Sequence, residues 1–183
     1  MLELHRGQGM EIHWREEGHC PTEEEYRTMV IQKTGGLFNL AVRLMQLYQD
    51  KSNPVLCNYN FGELANLIGL YFQIRDDYAN LCLDEYTETK TFAEDLTEGK
   101  YNFPIIHAIR NFPGDNKVET ILRQKTHDIE LKKYCVSLLE DAGSFKYSKM
   151  TMEELDKRIR TEISKLGGNA AMIYLMDKLA NWK

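Results

Sequence analysis

From Tyr26 to Leu47 the chain repeats one pattern, in which Tyr26, Val30, Lys33, Leu37, Leu40, Leu44 and Leu47 recur at spacings of four and three. That period is one face of an α-helix. Just before it, Pro21-Thr22-Glu23-Glu24-Glu25 reads as a helix start. Thr22 can cap, Glu25 can close a capping box, and the acidic first turn suits the helix dipole. The spacing predicts a long buried helix to about Tyr48. A second long helix is predicted over about Phe61 to Leu83, with Leu64, Leu67, Ile68, Tyr71, Ile74, Tyr78 and Leu81 on its apolar side. No stretch alternates convincingly with a period of two, so the chain is expected to be all-α.

The remaining segments fit that class. Leu2 to Glu17 is a candidate helix weakened by Gly7-Gln8-Gly9. It opens at residue 1 without a capping residue, like the middle of an element, and the chain is therefore expected to be incomplete at its N-terminus. Gln49 to Tyr59 reads as a loop around Asn53-Pro54, and the polar stretch Asp84 to Lys100 as a long functional loop. Helices resume near Pro104 to Phe112, Asp115 to Lys125, Asp128 to Asp141, Thr151 to Leu166 and Asn169 to Trp182. The Thr151 helix has a second capping-box pattern and ends at Gly167-Gly168.

Composition narrows the function classes. With 43% hydrophobic residues the 183-residue chain can bury one core, and no domain boundary is visible. A net charge of −5 lacks the basic excess of a nucleic-acid binder. No apolar run is long enough for a transmembrane span. Cys20, Cys57, Cys82 and Cys135 form no CxxC pair and read as reduced thiols, which points to a cytoplasmic protein.

Chemistry concentrates on the second long helix. Gln73, Asp76, Asp77 and Asn80 stand at i, i+3, i+4 and i+7 and share one side. Adjacent carboxylates repel each other and are costly to bury without a cation, and hard oxygen ligands beside phosphate suit Mg²⁺. The alternative is an ordinary solvated face. Lys33 interrupts the apolar stripe, followed by Thr34-Gly35-Gly36. It either snorkels to water or faces an internal anion. The loop adds Lys90 and Lys100, cations that can reach over a bound diphosphate. Carboxylates with metal on one helix and lysines from two other places would stabilise a departing diphosphate, and apolar helices around them would shield a hydrocarbon chain.

At these residues the chain resembles the trans-isoprenyl diphosphate synthase family, most of all animal geranylgeranyl diphosphate synthases. The matching runs are Leu2 to Gly9, Gln32-Lys33-Thr34-Gly35-Gly36, Phe72 to Leu81 and Glu94 to Lys100, with Pro104 to Ile109 and Ile121 to Thr126 also similar. The resemblance implies an isoprenoid synthase-type helical bundle around a central cavity. It implies Mg²⁺-dependent condensation of farnesyl diphosphate, the allylic substrate, with isopentenyl diphosphate to give geranylgeranyl diphosphate. Asp76 and Asp77 match the second aspartate-rich motif as metal ligands, Asp76 being the better candidate for direct contact. Lys33, Lys90 and Lys100 match lysines that hold the allylic diphosphate. Lys33, Thr34 and Gln73 match the catalytic set around the reacting carbons. Asn80 stands where many relatives have Asp.

The family also needs an earlier Asp-Asp-x-x-Asp motif and basic residues for isopentenyl diphosphate. The chain has no second Asp-Asp pair. Residues 1–183 are therefore expected to be the C-terminal portion of a single polyprenyl synthase domain with its N-terminal helices missing. They are expected to be inactive alone and part of a homo-oligomer when complete. The main rival is a non-catalytic subunit or isoform that docks on a full-length synthase. A relative making a different product, such as farnesyl diphosphate or a cyclised terpene, would share these motifs. A helical protein with no diphosphate affinity would share only the periodicity.

Overall fold

The computed structural model describes residues 2–48, 59–82 and 92–180. Within them every regular element is helical. The elements are α1 (Leu2–Glu17), α2 (Glu23–Val30), a π-helical turn (Ile31–Gly35), α3 (Gly36–Leu47), α4 (Gly62–Cys82), α5 (Glu94–Glu98), α6 (Phe103–Asn111), α7 (Lys117–Arg123), α8 (Ile129–Asp141), α9 (Ser144–Lys165) and α10 (Ala170–Leu179). No helix among the described residues is long and apolar enough to cross a membrane. Cys20, Cys82 and Cys135 are free thiols, and Cys57 lies outside the described residues.

The central element is α4, packed by α9, the π turn, α3 and α6. Of its expected apolar side, Leu67, Ile68, Tyr71, Ile74, Tyr78 and Leu81 are buried and Leu64 is half-buried. Ala65, Gly69 and Leu70 are buried too, so α4 is enclosed on more than one face, as a helix hydrophobic beyond a single stripe should be. Tyr71 and Ile74 are fully buried, a burial worth about 1.5–3 kcal/mol for a side chain such as Ile74.

The first long helix begins as expected. Thr22 accepts from the backbone N–H of Glu25 while the Glu25 carboxylate accepts from that of Thr22, which completes the capping box. Its continuation differs. Tyr26 and Val30 are buried, but Leu37, Leu44 and Leu47 are exposed and α3 has no buried residue. The π turn is the reason. It takes up an extra residue per turn and rephases the helix, so Phe38, Val42 and Gln46 are half-buried along with Leu40 while Leu37, Leu44 and Leu47 face outward.

Two further expectations are corrected. Thr151 starts no helix: α9 already runs from Ser144, after Gly143 at φ 67° breaks the chain behind α8. Thr151 is buried inside that helix, where a capping-box pattern has no free N-terminus to act on. The long loop is interrupted by α5, between Ala93 and Gly99, both left-handed. The segment 83–91 and the loop core 49–58 lie outside the described residues.

Two glycine contacts set the site. A Cβ on Gly69 of α4 would lie 2.7 Å from the Gly35 backbone, so α4 and the π turn touch main chain to main chain. A Cβ on Gly7 of α1 would lie 2.7 Å from the Lys33 backbone nitrogen and 2.8 Å from the Met29 carbonyl oxygen. Both glycines draw their helices onto the turn that carries Lys33 and Thr34.

Candidate functional site

Asp77 is the hub, with no exposed surface. Its Oδ1 accepts from Gln73 Nε2 at 3.0 Å, one turn back on α4, and from Lys100 Nζ at 3.0 Å. Its Oδ2 accepts from the Tyr26 hydroxyl at 2.6 Å and from the backbone N–H of Phe103 at 3.0 Å. Four donors from α4, α2, the α5–α6 connection and the start of α6 therefore satisfy one buried carboxylate, as a buried charge requires. Burial, reinforced by Asp77, holds the Tyr26 phenol well above its ordinary value, so it stays a donor.

Lys100 joins Asp77 to Asp95, whose two oxygens lie 3.3 Å from Nζ. Asp95 also accepts from Asn102 Nδ2 at 2.9 Å, while Asn102 Oδ1 caps α6 through the Ile105 N–H at 3.2 Å. The Asp95 N–H donates to Asn80 Oδ1 at 3.1 Å, so the amide at position 80 fastens α5 to α4. Burial pushes Asp95 up to about 6, with Lys100 pulling it down and Asp77 pushing it further up. Burial disfavours the Lys100 ammonium, but Asp77 and Asp95 outweigh it and hold its pKa above the usual lysine value.

The other arm of the network starts on the π turn. The Thr34 hydroxyl donates to Gln73 Oε1 at 3.0 Å. Thr34, Gln73, Asp77, Lys100 and Asp95 thus form one continuous chain of polar contacts. Lys33 next door is half-buried and reaches α1, where its Nζ meets both carboxylate oxygens of Glu11 at 2.9 Å. Gln8 Nε2 donates to the same carboxylate at 3.1 Å. Glu11 is near enough to add to the negative potential at Lys100 and Tyr26, so the two arms share one electrostatic neighbourhood.

The structure thus joins Thr34, Gln73, Asp77 and Lys100 in one network across the π turn, α4 and the α5–α6 connection, with Lys33 and Asp76 adjacent in the chain to Thr34 and Asp77. Lys90 lies outside the described residues. Asp76 is half-buried beside the hub. Among the described residues no group of three or more His, Cys, Asp or Glu could hold a metal ion. Asp77 is fully buried whereas Asp76 is half-buried, so Asp76 is the more accessible carboxylate of the pair. One carboxylate with water and phosphate oxygens fits the habit of Mg²⁺, which seldom takes a full protein cage.

Sequence reasoning missed Tyr26, Glu11, Asp95 and Asn102. Tyr26 was legible only as core, although a phenol in a buried stripe needs a partner and so points to a buried acceptor. Asp95 and Asn102 bracket Lys100 at five and two residues, and a polar cluster around a lysine was their available signal. Nothing local marked Glu11, which meets Lys33 from a different helix.

Comparison with known proteins places these motifs in context. The polyprenyl synthetase family matches residues 1–139. A protein of Matsumurasca onukii named terpene synthase is 56% identical over all of the chain and 58% of its own length. A geranylgeranyl pyrophosphate synthase of Metarhizium robertsii is 51% identical over 92% of the chain and 50% of its own length. Another, of Mucor circinelloides, is 47% identical over 92% and 54%. The chain spans about half the length of the curated relatives it matches.

Proposed function

Because the chain belongs to the polyprenyl synthetase family, we propose that it supplies the allylic diphosphate side of a prenyltransferase that condenses farnesyl diphosphate with isopentenyl diphosphate to geranylgeranyl diphosphate. The observation that carries this reading is the contact chain from Thr34 through Gln73 and Asp77 to Lys100, with Lys33 beside it. It links a cation, a carboxylate and the oxygens of Thr34 and Gln73 from separate elements, and the second cation, Lys33, is next to Thr34 in the chain.

Each residue has a part. Lys33 and Lys100, with Lys90, hold the diphosphate and neutralise it as the C–O bond breaks. Mg²⁺, held by Asp76, would supply further neutralisation at the leaving group. Asp77 fixes the Gln73 amide by accepting from its Nε2, which turns Oε1 toward the Thr34 hydroxyl. The oxygens of Thr34 and Gln73 carry the partial negative charge that an allylic cation needs nearby. The double bond of isopentenyl diphosphate attacks that cation, and the released diphosphate takes the proton. The work is assigned to a cytoplasmic homo-oligomer in which the remaining half of the relatives' length brings the second substrate's site.

Calorimetry with Mg²⁺ and pyrophosphate tests the anion site directly. The chain is expected to bind, and Lys33→Ala to weaken binding at least about tenfold, the loss of one charge-assisted contact. Binding that is unchanged in Lys33→Ala refutes the assignment. Residues 1–183 alone are expected to make no geranylgeranyl diphosphate. Robust Mg²⁺-dependent turnover, abolished by Asp76→Ala, would show that they suffice. The relative named terpene synthase favours a second reading, conversion of an allylic diphosphate without isopentenyl diphosphate. Hydrocarbon products from farnesyl diphosphate alone would decide for it. Co-purification with a full-length synthase, without turnover, would instead favour a non-catalytic subunit.

A further inference from the structure

Glu11 has no part in the scheme above, and its geometry is specific. Both of its carboxylate oxygens lie 2.9 Å from the Lys33 ammonium. Gln8, one helical turn back on α1, donates to it as well. The pair is shielded, with side-chain exposures of 20% for Lys33 and 14% for Glu11. The main-chain approach at Gly7 holds the α1 backbone against the π turn, so Glu11 leaves Lys33 by turning its side chain and not by a shift of the helix. A carboxylate that grips a lysine with two oxygens copies what a diphosphate oxygen pair does to the same lysine.

We infer that Glu11 is an internal counter-anion that holds the place of the diphosphate on Lys33 in the unliganded protein and must release it when the anion binds. This rests on the reading of Lys33 as a diphosphate ligand. The incoming diphosphate exchanges for Glu11 at Lys33, and the freed carboxylate keeps its hydrogen bond from Gln8. The exchange lowers affinity for any bare anion. It favours a ligand that brings its own cations, because a metal diphosphate repels the displaced carboxylate less than free pyrophosphate does. Glu11 is therefore a positioning and selectivity residue that acts through Lys33.

Calorimetry on the full 183-residue chain tests this with pyrophosphate, with and without Mg²⁺, in wild type, Glu11→Gln, Lys33→Ala and the double variant. Glu11→Gln keeps the shape and the Gln8 contact, and is expected to tighten pyrophosphate binding about three- to tenfold, the scale of one shielded ion pair. The gain should be larger without Mg²⁺ than with it. It should shrink or vanish in the Lys33→Ala background, and complete loss of binding in both Lys33→Ala proteins counts equally as dependence on Lys33. Weaker or unchanged binding in Glu11→Gln overturns the proposal, since Glu11 would then merely prop Lys33. An equal gain with and without Lys33 also overturns it, as that is general repulsion. If neither wild type nor Glu11→Gln binds pyrophosphate, the diphosphate reading fails and this proposal falls with it.

Discussion

Lys33 and Lys100 match the same role by resemblance, yet the molecule treats them oppositely. Lys100 sits between Asp77 and Asp95 with a side-chain exposure of 13%, and its partners are themselves held by Tyr26, Phe103, Gln73 and Asn102. Among the described residues Lys33 has one carboxylate partner, supplied by another helix and backed by a single glutamine. Lys100 is fixed by the scaffold, so in the proposed reaction it meets the diphosphate without leaving its carboxylate partners. Lys33 is on an exchangeable contact. A residue type and a motif therefore do not settle what a lysine does, because the number of buried partners decides how much it costs to release it.

This contrast can be broken from the Lys100 side first. Asp77→Ala is expected to cost about 3–5 kcal/mol in denaturant unfolding, the scale for breaking a buried charged pair. It leaves Lys100 with Asp95 alone and removes the acceptor of Tyr26, Gln73 and Phe103 together. A cost below about 1 kcal/mol, the scale of an exposed pair, would mean that the cluster is not scaffold.

A pH profile probes the same side more gently. Asp95 is raised from 3.8 to about 6 on folding. A raised carboxylate favours the protonated form in the folded state, so its contribution is greatest in acid and falls as pH rises from 3.8 through about 6. Unfolding at a series of pH values should show wild type losing stability over that window relative to Asp95→Asn. Parallel profiles would show that Lys100 cancels the burial of Asp95. The smallest effect belongs to the other lysine: Lys33→Ala leaves Glu11 its Gln8 contact and should cost about 1–2 kcal/mol, the scale of one charge-assisted hydrogen bond. A loss as large as that of Asp77→Ala would erase the distinction between the two cations.

How much of this is legible in the sequence differs along the chain. The capping box at Thr22 and the buried side of α4 follow from local pattern, since each depends on residues within a few turns. The joining of Thr34 to Gln73 depends on Gly35 and Gly69 meeting across two helices, which no local pattern encodes. The buried side of the first helix departs from its stripe because a stripe assumes one constant period, and a single π turn changes it. Asp76 and Asp77 look equivalent in sequence. Their difference arises only once Tyr26 and Phe103, from other elements, close over Asp77.

The π turn has a further implication for length variation. Upstream of it the first helix is anchored by its cap and by buried Tyr26, and downstream it is anchored through Asn39, which bonds to Asn66. With both ends fixed, the five residues Ile31–Gly35 act as a gear tooth between two shafts. Deleting one of them would turn everything beyond by roughly 100°, one residue's share of a helical turn. Leu37 and Leu44 would swing toward α4, and Asn39 would leave Asn66. Between the anchors at Tyr26 and Asn39, therefore, a change of length by one residue has to break one anchor or the other.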